Sequence, residues 1–326
     1  FTNKMLKEGS KNHTAAGIAQ IMDYYGAYFE TRITRDKAYF NLFCLNKYLE
    51  KVLPLVADML VHPAFSKEEF LVLREQEKQS YQTRMQKVKN RAIREFNAHI
   101  FGKNHPYGSY AELSDYDQIK IEELKKFHQE HYGIQDWSLY VSGYMESPVK
   151  ELIHRYFGNI PLTHRGVSSP MKDIQIPTVN PELFHTHQKG ALQTAIKLGK
   201  ISIQRAHPDY PALSLAQTVL GGYFGSRLMQ NIREDKGYTY GISSSIQHFK
   251  YASVFSIGSE VGSDVAEAAL KEVHAELKRL RTVRVEAEEL NLVKNYMSGN
   301  LLKSLNGPFA LGEMMRMLHE FHLPED

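Results

Sequence analysis

The chain has 326 residues, of which 42% are hydrophobic and 24% are charged, and its formal net charge is +3 at pH 7. This length and composition predict a globular protein of two domains, and the small net charge without a dense Lys/Arg run argues against a nucleic-acid partner. The single cysteine, Cys44, excludes an intramolecular disulfide and a cysteine-based metal cluster.

The first half of the chain predicts helices around one pair of strands. In chain order we expect a helix at about 14–25 that ends at Gly26, strands at 28–34 and 38–45, a helix at 48–59 interrupted by Pro54, a long helix at 67–99, a helix at 121–131, a strand at 137–144 and a helix at 147–157.

Proline, glycine and serine with little apolar periodicity mark residues 163–183 as a linker. The sequence therefore predicts domains at 1–162 and 184–326. For the second domain we expect strands at 191–198, 238–248 and 252–259 and helices at 210–220, 226–235, 264–280 and 286–305.

Both halves place a helix, a glycine (Gly26 or Gly237), two strands and two helices in the same order. This order indicates a duplicated unit, although elements of this kind recur in many unrelated domains. The predicted fold class is α+β, with two repeated α/β domains and an antiparallel-rich sheet against which helices pack.

The segment 221–241 contains the clearest candidate for chemistry. Ser226 is suited to cap a short helix and Gly237 to end it, before a strand in which Tyr238, Tyr240 and Ile242 alternate. The turn from helix to strand could bring Arg233 and Tyr240 together, and a cation beside a hydroxyl suits a carbonyl oxygen that gains negative charge. Alternatively, Arg233 offsets the helix dipole and Tyr240 is an ordinary strand aromatic.

The 15 histidines required a search for a metal site. Neither H-x-x-E-H nor H-E-x-x-H occurs in the sequence. The pairs His128/His131 and His319/His322 could each share a helical face, but we expect surface or helix-end roles for them. No hydrophobic run is long enough for a membrane span, so we expect a soluble protein, with the compartment left open between cytoplasm and periplasm. The start at Phe1 rather than Met leaves open a signal peptide and an N-terminal portion outside the sequence.

The segment 224–242, FGSRLMQNIREDKGYTYGI, resembles the second-half signature of the M16 family of zinc peptidases, the group of pitrilysin, insulinase and mitochondrial processing peptidase. The segments MLKEGSKNHT, GAYFETRITRDKAYF and LNLVKNYMSGNLLKSL resemble the family elsewhere. The resemblance implies two processing-peptidase-type halves. It also implies that Arg233 and Tyr240 reach the substrate carbonyl.

The resemblance further implies that an edge strand beginning at Tyr28, Phe29, Glu30 and Thr31 pairs with the substrate backbone. One departure is informative. Aligning the residues after the family's zinc motif puts the second histidine at Lys4, the catalytic glutamate at Asn3, and the third ligand at or near Ser80. Glu75 and Glu77 lie close by but out of that register.

Two zinc ligands and the general base are therefore missing, since lysine brings a competing positive charge and asparagine cannot act as a base at neutral pH. We expect no metal or cofactor in this chain, and we expect a zinc-bearing M16 homologue as partner, with peptide or unfolded polypeptide as substrate. For the assembly, a homo-oligomer is the alternative to this heterodimer. Two other functions stay open: a non-enzymatic core subunit and a self-sufficient zinc metallopeptidase with relocated ligands.

Overall fold

The computed structural model describes residues 1–133, 137–145, 147–158 and 182–324. The chain forms two compact units, of which the first comprises Phe1–Gln82 and Ala111–Pro170 and the second Thr83–Tyr110 and Met171–Asp326. Residues 83–110, which the predicted first domain includes, thus pack with the second unit. Most of the predicted linker lies outside the described residues, and the predicted domain bounds stay a prediction.

The first unit is built around a two-stranded antiparallel hairpin. Its elements are α1 (Thr2–Met5), α2 (Ala15–Tyr24), β1 (Tyr28–Ile33), β2 (Ala38–Phe43), α3 (Leu49–Val61), α4 (Lys67–Gln86), α6 (Asp115–Gln118), α7 (Ile121–His131) and α8 (Ser147–Ile153), while α5 (Val88–Phe101) belongs to the second unit. The Thr14 hydroxyl caps α2 by accepting from the Gly17 amide at 3.1 Å. The predicted helix at 14–25 and the strand pair are confirmed.

Apolar faces of these helices meet in one core. Its buried members are Met5, Leu6, Ile18, Met22, Val52, Leu55, Val56, Met59, Leu60, Phe65, Phe70, Leu73 and Leu124. Six buried residues of α3 explain why Pro54 lies inside this helix without interrupting it, contrary to the prediction. Their burial outweighs the lost backbone hydrogen bond.

Two other expectations for this region are wrong. The predicted long helix 67–99 is two helices, α4 and α5, because Lys87 takes an extended conformation between them (ψ 119°). The predicted strand 137–144 is not formed, since residues 137–145 belong to no helix or strand of the described chain. Both errors arise because local periodicity does not reveal where a chain turns from one packed layer to another.

The second unit contains, besides α5, the elements β3 (Gln193–Ser202), α9 (Tyr210–Gln217), a π-helical turn (Thr218–Gly222), a π-helical segment (Met229–Asp235), β4 (Thr239–His248), β5 (Ser253–Gly262), α10 (Ala266–Thr282), α11 (Ala287–Ser304) and α12 (Pro308–Phe321). Its three strands form an antiparallel sheet in the order β3-β5-β4. The predicted strands and helices are present with shifted ends, and α12 has no predicted counterpart.

Each face of this sheet has its own apolar cluster. On one face lie Leu220, Leu228, Met229, Ile232, Ile242, Ile257, Val261, Ala269 and Val273. On the other, α5 and the loop after it contribute to a cluster of Ile100, Phe101, Tyr107, Phe249, Ala252 and Val254. Helices therefore pack on both sides of the sheet, in agreement with the predicted α+β class.

The order of elements recurs between the two units. In each, a helix is followed by a glycine in the left-handed region, a β-hairpin and two helices. Gly26 has φ +58° and Gly237 has φ +66°, a conformation that glycine adopts at little cost. Among the described helices, none combines the length and apolar character needed to cross a bilayer.

His248 connects β4 to its neighbours in the second unit. Its Nε2 lies 3.0 Å from the Tyr210 hydroxyl and its Nδ1 lies 2.8 Å from the Ser253 hydroxyl. The ring also packs edge-on against Phe321 of α12. Burial and the nearby Arg205 guanidinium lower the pKa of His248 to about 4.

This lowered pKa predicts acid sensitivity. In the unfolded chain a histidine has a pKa of about 6.5, so the unfolded state binds more protons between pH 6.5 and 4, and the free energy of unfolding should fall by about 1 kcal/mol over that window after solvent screening. Urea unfolding of the wild type and of His248→Gln measures this. The variant should show a shallower pH dependence, and identical slopes would contradict the assignment.

Candidate functional site

Arg233 lies in the last turn of the π-helical segment Met229–Asp235. Met229 and Ile232 of the same segment are buried in the core, whereas the Arg233 side chain is 31% exposed. The Gly237 amide donates to the Arg233 carbonyl at 3.1 Å, which ends the helix as predicted. π-Helical turns are uncommon and frequently occur at functional sites.

Two sets of polar contacts hold this region against α10 and α11. Arg227 is 7% exposed and forms a bidentate ion pair with Glu289 of α11, at 2.7 and 2.6 Å. The hydrogen bonds from Arg227 lower the pKa of the Glu289 carboxyl. Asn231 donates to Glu272 and Glu276 of α10 at 3.1 and 2.9 Å. The arginine of the Ser-Arg-Leu stretch is therefore structural.

Ser226 does not act as the predicted helix cap. Its side chain is 1% exposed, and its hydroxyl has no hydrogen-bond partner within the described chain. The helical backbone begins at Arg227, and the buried Ser226 hydroxyl makes no hydrogen bond to its first amides. Burial has thus overridden a local capping preference.

Strand β4 contains a β-bulge at Tyr240. Thr239 pairs with Val261 and Ile242 pairs with Ser259, so three steps along β4 match two along β5. A bulge adds an unpaired residue and redirects side chains, and bulges are over-represented beside active sites. The Tyr240 side chain is accordingly 93% exposed.

Hydrogen bonds from two side-chain hydroxyl groups stabilise this bulge. The Thr239 hydroxyl lies 2.7 Å from the Glu260 carbonyl and accepts from the Gly241 amide at 3.1 Å. The Ser259 hydroxyl lies 3.0 Å from the Gly241 carbonyl. These bonds satisfy backbone groups that the extra residue takes out of the ladder, so the bulge is a stable feature.

The bulge overturns the predicted alternation of Tyr238, Tyr240 and Ile242. Ile242 is 4% exposed and Tyr238 packs against the same core, but Tyr240 faces solvent. Tyr238, which precedes Tyr240 in the predicted alternation, is therefore partly buried against the core. The expectation failed because a period of two holds only while the strand register is unbroken.

The guanidinium of Arg233 has two described neighbours. Its Nη1 pairs with Glu234 Oε1 at 2.5 Å, and its Cζ lies 4.6 Å from the ring centroid of Phe224. The Phe224 side chain is 68% exposed. Within the described residues, no hydrogen bond joins Arg233 to Tyr240. Nothing in the sequence pattern pointed to Phe224, since it lies nine residues before Arg233 in a separate turn.

In the first unit, the positions that the family resemblance assigns to metal chemistry have other partners. Asn3 is 3% exposed and donates through its amide to the Arg32 carbonyl at 3.1 Å. The Lys4 ammonium forms an ion pair with Glu77 of α4, one helical turn before Ser80. These residues do not fit a zinc site, because an ammonium occupies one ligand position and a buried amide, which cannot act as a base, occupies the position of the catalytic glutamate. The sequence alignment had placed Glu77 outside the position of the third zinc ligand, and it did not reveal this ion pair.

The predicted substrate-binding residues Tyr28, Phe29, Glu30 and Thr31 lie on β1, where they pair with β2. Tyr28 is 59% exposed, while Phe29 packs against the core and stacks on Phe40. Their role stays a prediction. They belong to the first unit and the Arg233 and Tyr240 pair belongs to the second.

One histidine of each pair has a structural position in the fold. His128 Nε2 lies 2.9 Å from the Leu60 carbonyl, and burial lowers the pKa of this ring. His322 ends α12 in the left-handed conformation. In the part of the chain that the structure describes, no group of three or more His, Cys, Asp or Glu residues is arranged to hold a metal ion.

We expect Lys4→Met to lower the free energy of unfolding by about 1 kcal/mol, because it leaves the Glu77 carboxylate, 18% exposed, without its ammonium. Lys78→Met, in the same helix as Glu77, is the matched control, since it removes the partner of a carboxylate, Asp117, that is 55% exposed and should cost less. Added Zn²⁺ or EDTA should leave the melting temperature unchanged. Stoichiometric zinc in the purified chain would contradict the interpretation.

Arg227→Met should lower the free energy of unfolding by about 2 to 4 kcal/mol, because it leaves the Glu289 carboxylate without its buried partner. Arg279→Met provides the comparison, since its contact with Glu276 spans 3.7 Å and its side chain is 56% exposed; the expected loss is about 0.5 kcal/mol or less. Chemical denaturation measures both. A similar loss in the two variants would refute the structural role of Arg227.

Family models match nearly the whole chain. The model described as "Peptidase M16 inactive domain" matches residues 118–297, more than half of the chain, and the model described as "Insulinase (Peptidase family M16)" matches residues 1–109. The first model covers the Arg233 and Tyr240 segment, and the second covers Asn3 and Lys4.

Individual proteins agree. A "Probable inactive metalloprotease YmfF" of Bacillus subtilis is 26% identical over 95% of this chain and 77% of its own length, and an "Uncharacterized zinc protease" of Rickettsia bellii is 25% identical over 92% and 72%. A crystal structure of a peptidase M16 inactive domain from Pseudomonas fluorescens has a TM-score of 0.83 at 24% identity, covering 99% of this chain and 78% of that one. The extent of the family-model match establishes that the chain belongs to the M16 peptidase family, with an inactive-type domain in its second half.

Proposed function

We propose that this chain is the zinc-free subunit of a two-chain M16 peptidase, in which it binds the substrate carbonyl through Arg233 and Tyr240. The observation that carries the proposal is the bulge in β4, which turns Tyr240 out to 93% exposure although its neighbours in the pattern are packed in the core. A scaffolding role provides no reason for an aromatic side chain to be directed into solvent by a fastened bulge.

The electrostatics of the second unit support the same role. Arg227 and Asn231 are committed to carboxylates of α10 and α11, so they fix the helix rather than face a ligand. The Arg233 side chain is 31% exposed. A guanidinium presents several N–H donors in one plane, and a phenol adds another, which suits an oxygen that gains negative charge during peptide cleavage.

The first unit supports the division of labour. Its Asn3 and Lys4 are tied to Arg32 and Glu77, so the chain's own residues provide neither a general base nor a metal there. A partner of the same family that carries H-x-x-E-H would supply the metal. In this chain β1, through Tyr28 to Thr31, would align an extended peptide by strand addition.

The proposal limits the substrate to peptide or unfolded polypeptide, since an extended backbone is needed for strand addition. The alternative of a non-enzymatic core subunit predicts complex formation without turnover. A self-sufficient zinc peptidase predicts zinc and turnover in this chain by itself.

The test mixes the chain with an H-x-x-E-H-bearing M16 protein of the same organism and measures cleavage of a quenched-fluorescent library of unstructured peptides. Arg233→Ala should lower kcat by about 100-fold, in the range found for losing one oxyanion donor, and Tyr240→Phe by about 10-fold, while KM changes little. Both variants should assemble normally.

Arg284→Ala and Tyr24→Phe are matched controls at exposed positions and should retain turnover. Full activity of Arg233→Ala and Tyr240→Phe in an active mixture would remove the assigned role. Zinc and cleavage in the isolated chain would instead favour the self-sufficient enzyme.

A further inference from the structure

Phe224 is an exposed aromatic residue that contacts Arg233 and has no role in the proposed function. It lies in the turn between the π-helical turn Thr218–Gly222 and the helix that begins at Arg227. With 68% of its side chain exposed, it contributes little to the core, and its ring lies 4.6 Å from the Arg233 guanidinium carbon. Cation–π attraction of this kind orients a guanidinium over an aromatic face.

The turn that carries Phe224 is tightly packed. A Cβ on Gly221 would lie 2.6 Å from the Ser244 amide nitrogen, and a Cβ on Gly225 would lie 2.8 Å from the Tyr223 ring. The first contact is with backbone, so glycine is required at position 221, whereas a side chain at position 225 would displace the Tyr223 ring. Close packing of this kind restricts the turn and therefore the position of the Phe224 ring.

Tyr223 anchors the turn to α11. Its ring packs against Tyr296 of α11, with ring centroids 5.1 Å apart. Of two consecutive aromatic residues, one is therefore attached to the helical layer and the next lies against Arg233. This arrangement fixes the turn at its glycines and at Tyr223, and it presents the Phe224 ring to the guanidinium.

The two neighbours of Arg233 differ in what they do to its charge. The Glu234 carboxylate accepts a hydrogen bond from Nη1 and offsets the positive charge. An aromatic ring contacts the flat face of a guanidinium, so the N–H donors in the plane and the net charge stay available to an acceptor. A group that must meet a developing oxyanion needs orientation without neutralisation.

We propose that Phe224 is the positioning residue for Arg233: its ring holds the guanidinium in the orientation in which its N–H groups bind the substrate carbonyl oxygen. This inference rests on the proposed role of Arg233. Phe224 acts through Arg233 and is not itself a catalytic residue.

The first test uses the isolated chain and needs no partner. The Arg233 side-chain NMR signals, assigned with Arg233→Lys, should be displaced by the ring current of Phe224. Phe224→Leu should return them to ordinary arginine positions, whereas Phe224→Tyr should leave them displaced. Phe309→Leu, which alters another exposed phenylalanine of the same unit (62% exposed), should have no effect. Unmoved Arg233 signals in Phe224→Leu would overturn the proposal.

The second test measures kcat and KM in the two-chain mixture described above, with the same peptide library. Phe224→Leu should lower kcat by about 10-fold with little change in KM, within the range that misplacing a catalytic group produces. Phe224→Tyr should restore turnover, and Glu234→Gln should not lower it. If Glu234→Gln reproduces the loss and Phe224→Leu does not, Glu234 is the positioning residue and the proposal fails.

A double variant separates this inference from the proposed function. Phe224→Leu combined with Arg233→Ala should be no slower than Arg233→Ala alone, because Phe224 has then lost the group on which it acts. Additive losses would show that Phe224 acts independently of Arg233 and would overturn the proposal. If Arg233→Ala lowers turnover and Phe224→Leu does not, the proposed function stands and the role of Phe224 falls. Full turnover of Arg233→Ala overturns both.

Discussion

The register break between β4 and β5 is the constraint on which the candidate site depends. A strand directs alternate side chains to opposite faces, so an unbroken β4 would bury Tyr240 with Tyr238 and Ile242. One extra residue, fastened by the hydroxyls of Thr239 and Ser259, separates Tyr240 from the core while Ile242 keeps its place in it. A small disturbance of the ladder therefore creates an exposed phenol on an otherwise well-packed strand.

Charged side chains serve different purposes in the two units. In the first, Lys4 and Glu77 neutralise each other where a family member with zinc would hold its metal, and Asn3 gives its amide to a backbone carbonyl. In the second, Arg227 is buried against Glu289 and stabilises the helix, whereas Arg233 is partly exposed between a carboxylate and an aromatic ring. Two arginines six positions apart thus differ in burial and in partners.

The family models and the contacts of Asn3 and Lys4 both indicate a chain without the family's zinc site. The family models identify an M16 chain with an inactive-type domain, and a relative is described as a probable inactive metalloprotease. The contacts of Asn3 and Lys4 give a physical reason why metal chemistry does not belong to these positions. Our proposal adds that losing the metal need not mean losing the groups that bind substrate, since Arg233 and Tyr240 lie in another unit and are positioned by their own contacts.

Local chemistry along the chain was sufficient to predict the α+β class, the β1–β2 hairpin and the helix stop at Gly237, because periodicity and glycine conformation act over a few residues. The substitutions at Asn3, Lys4 and Ser80 were recognised only through the resemblance to the M16 family. Only the tertiary structure decided four other features: the Lys4–Glu77 pair, the association of α5 with the second unit, the absence of a cap at Ser226, and the placement of Tyr240 and Phe224. Each of these features depends on contacts between distant segments or on a strand register. Long-range contacts and strand registers leave no periodic signal in the sequence.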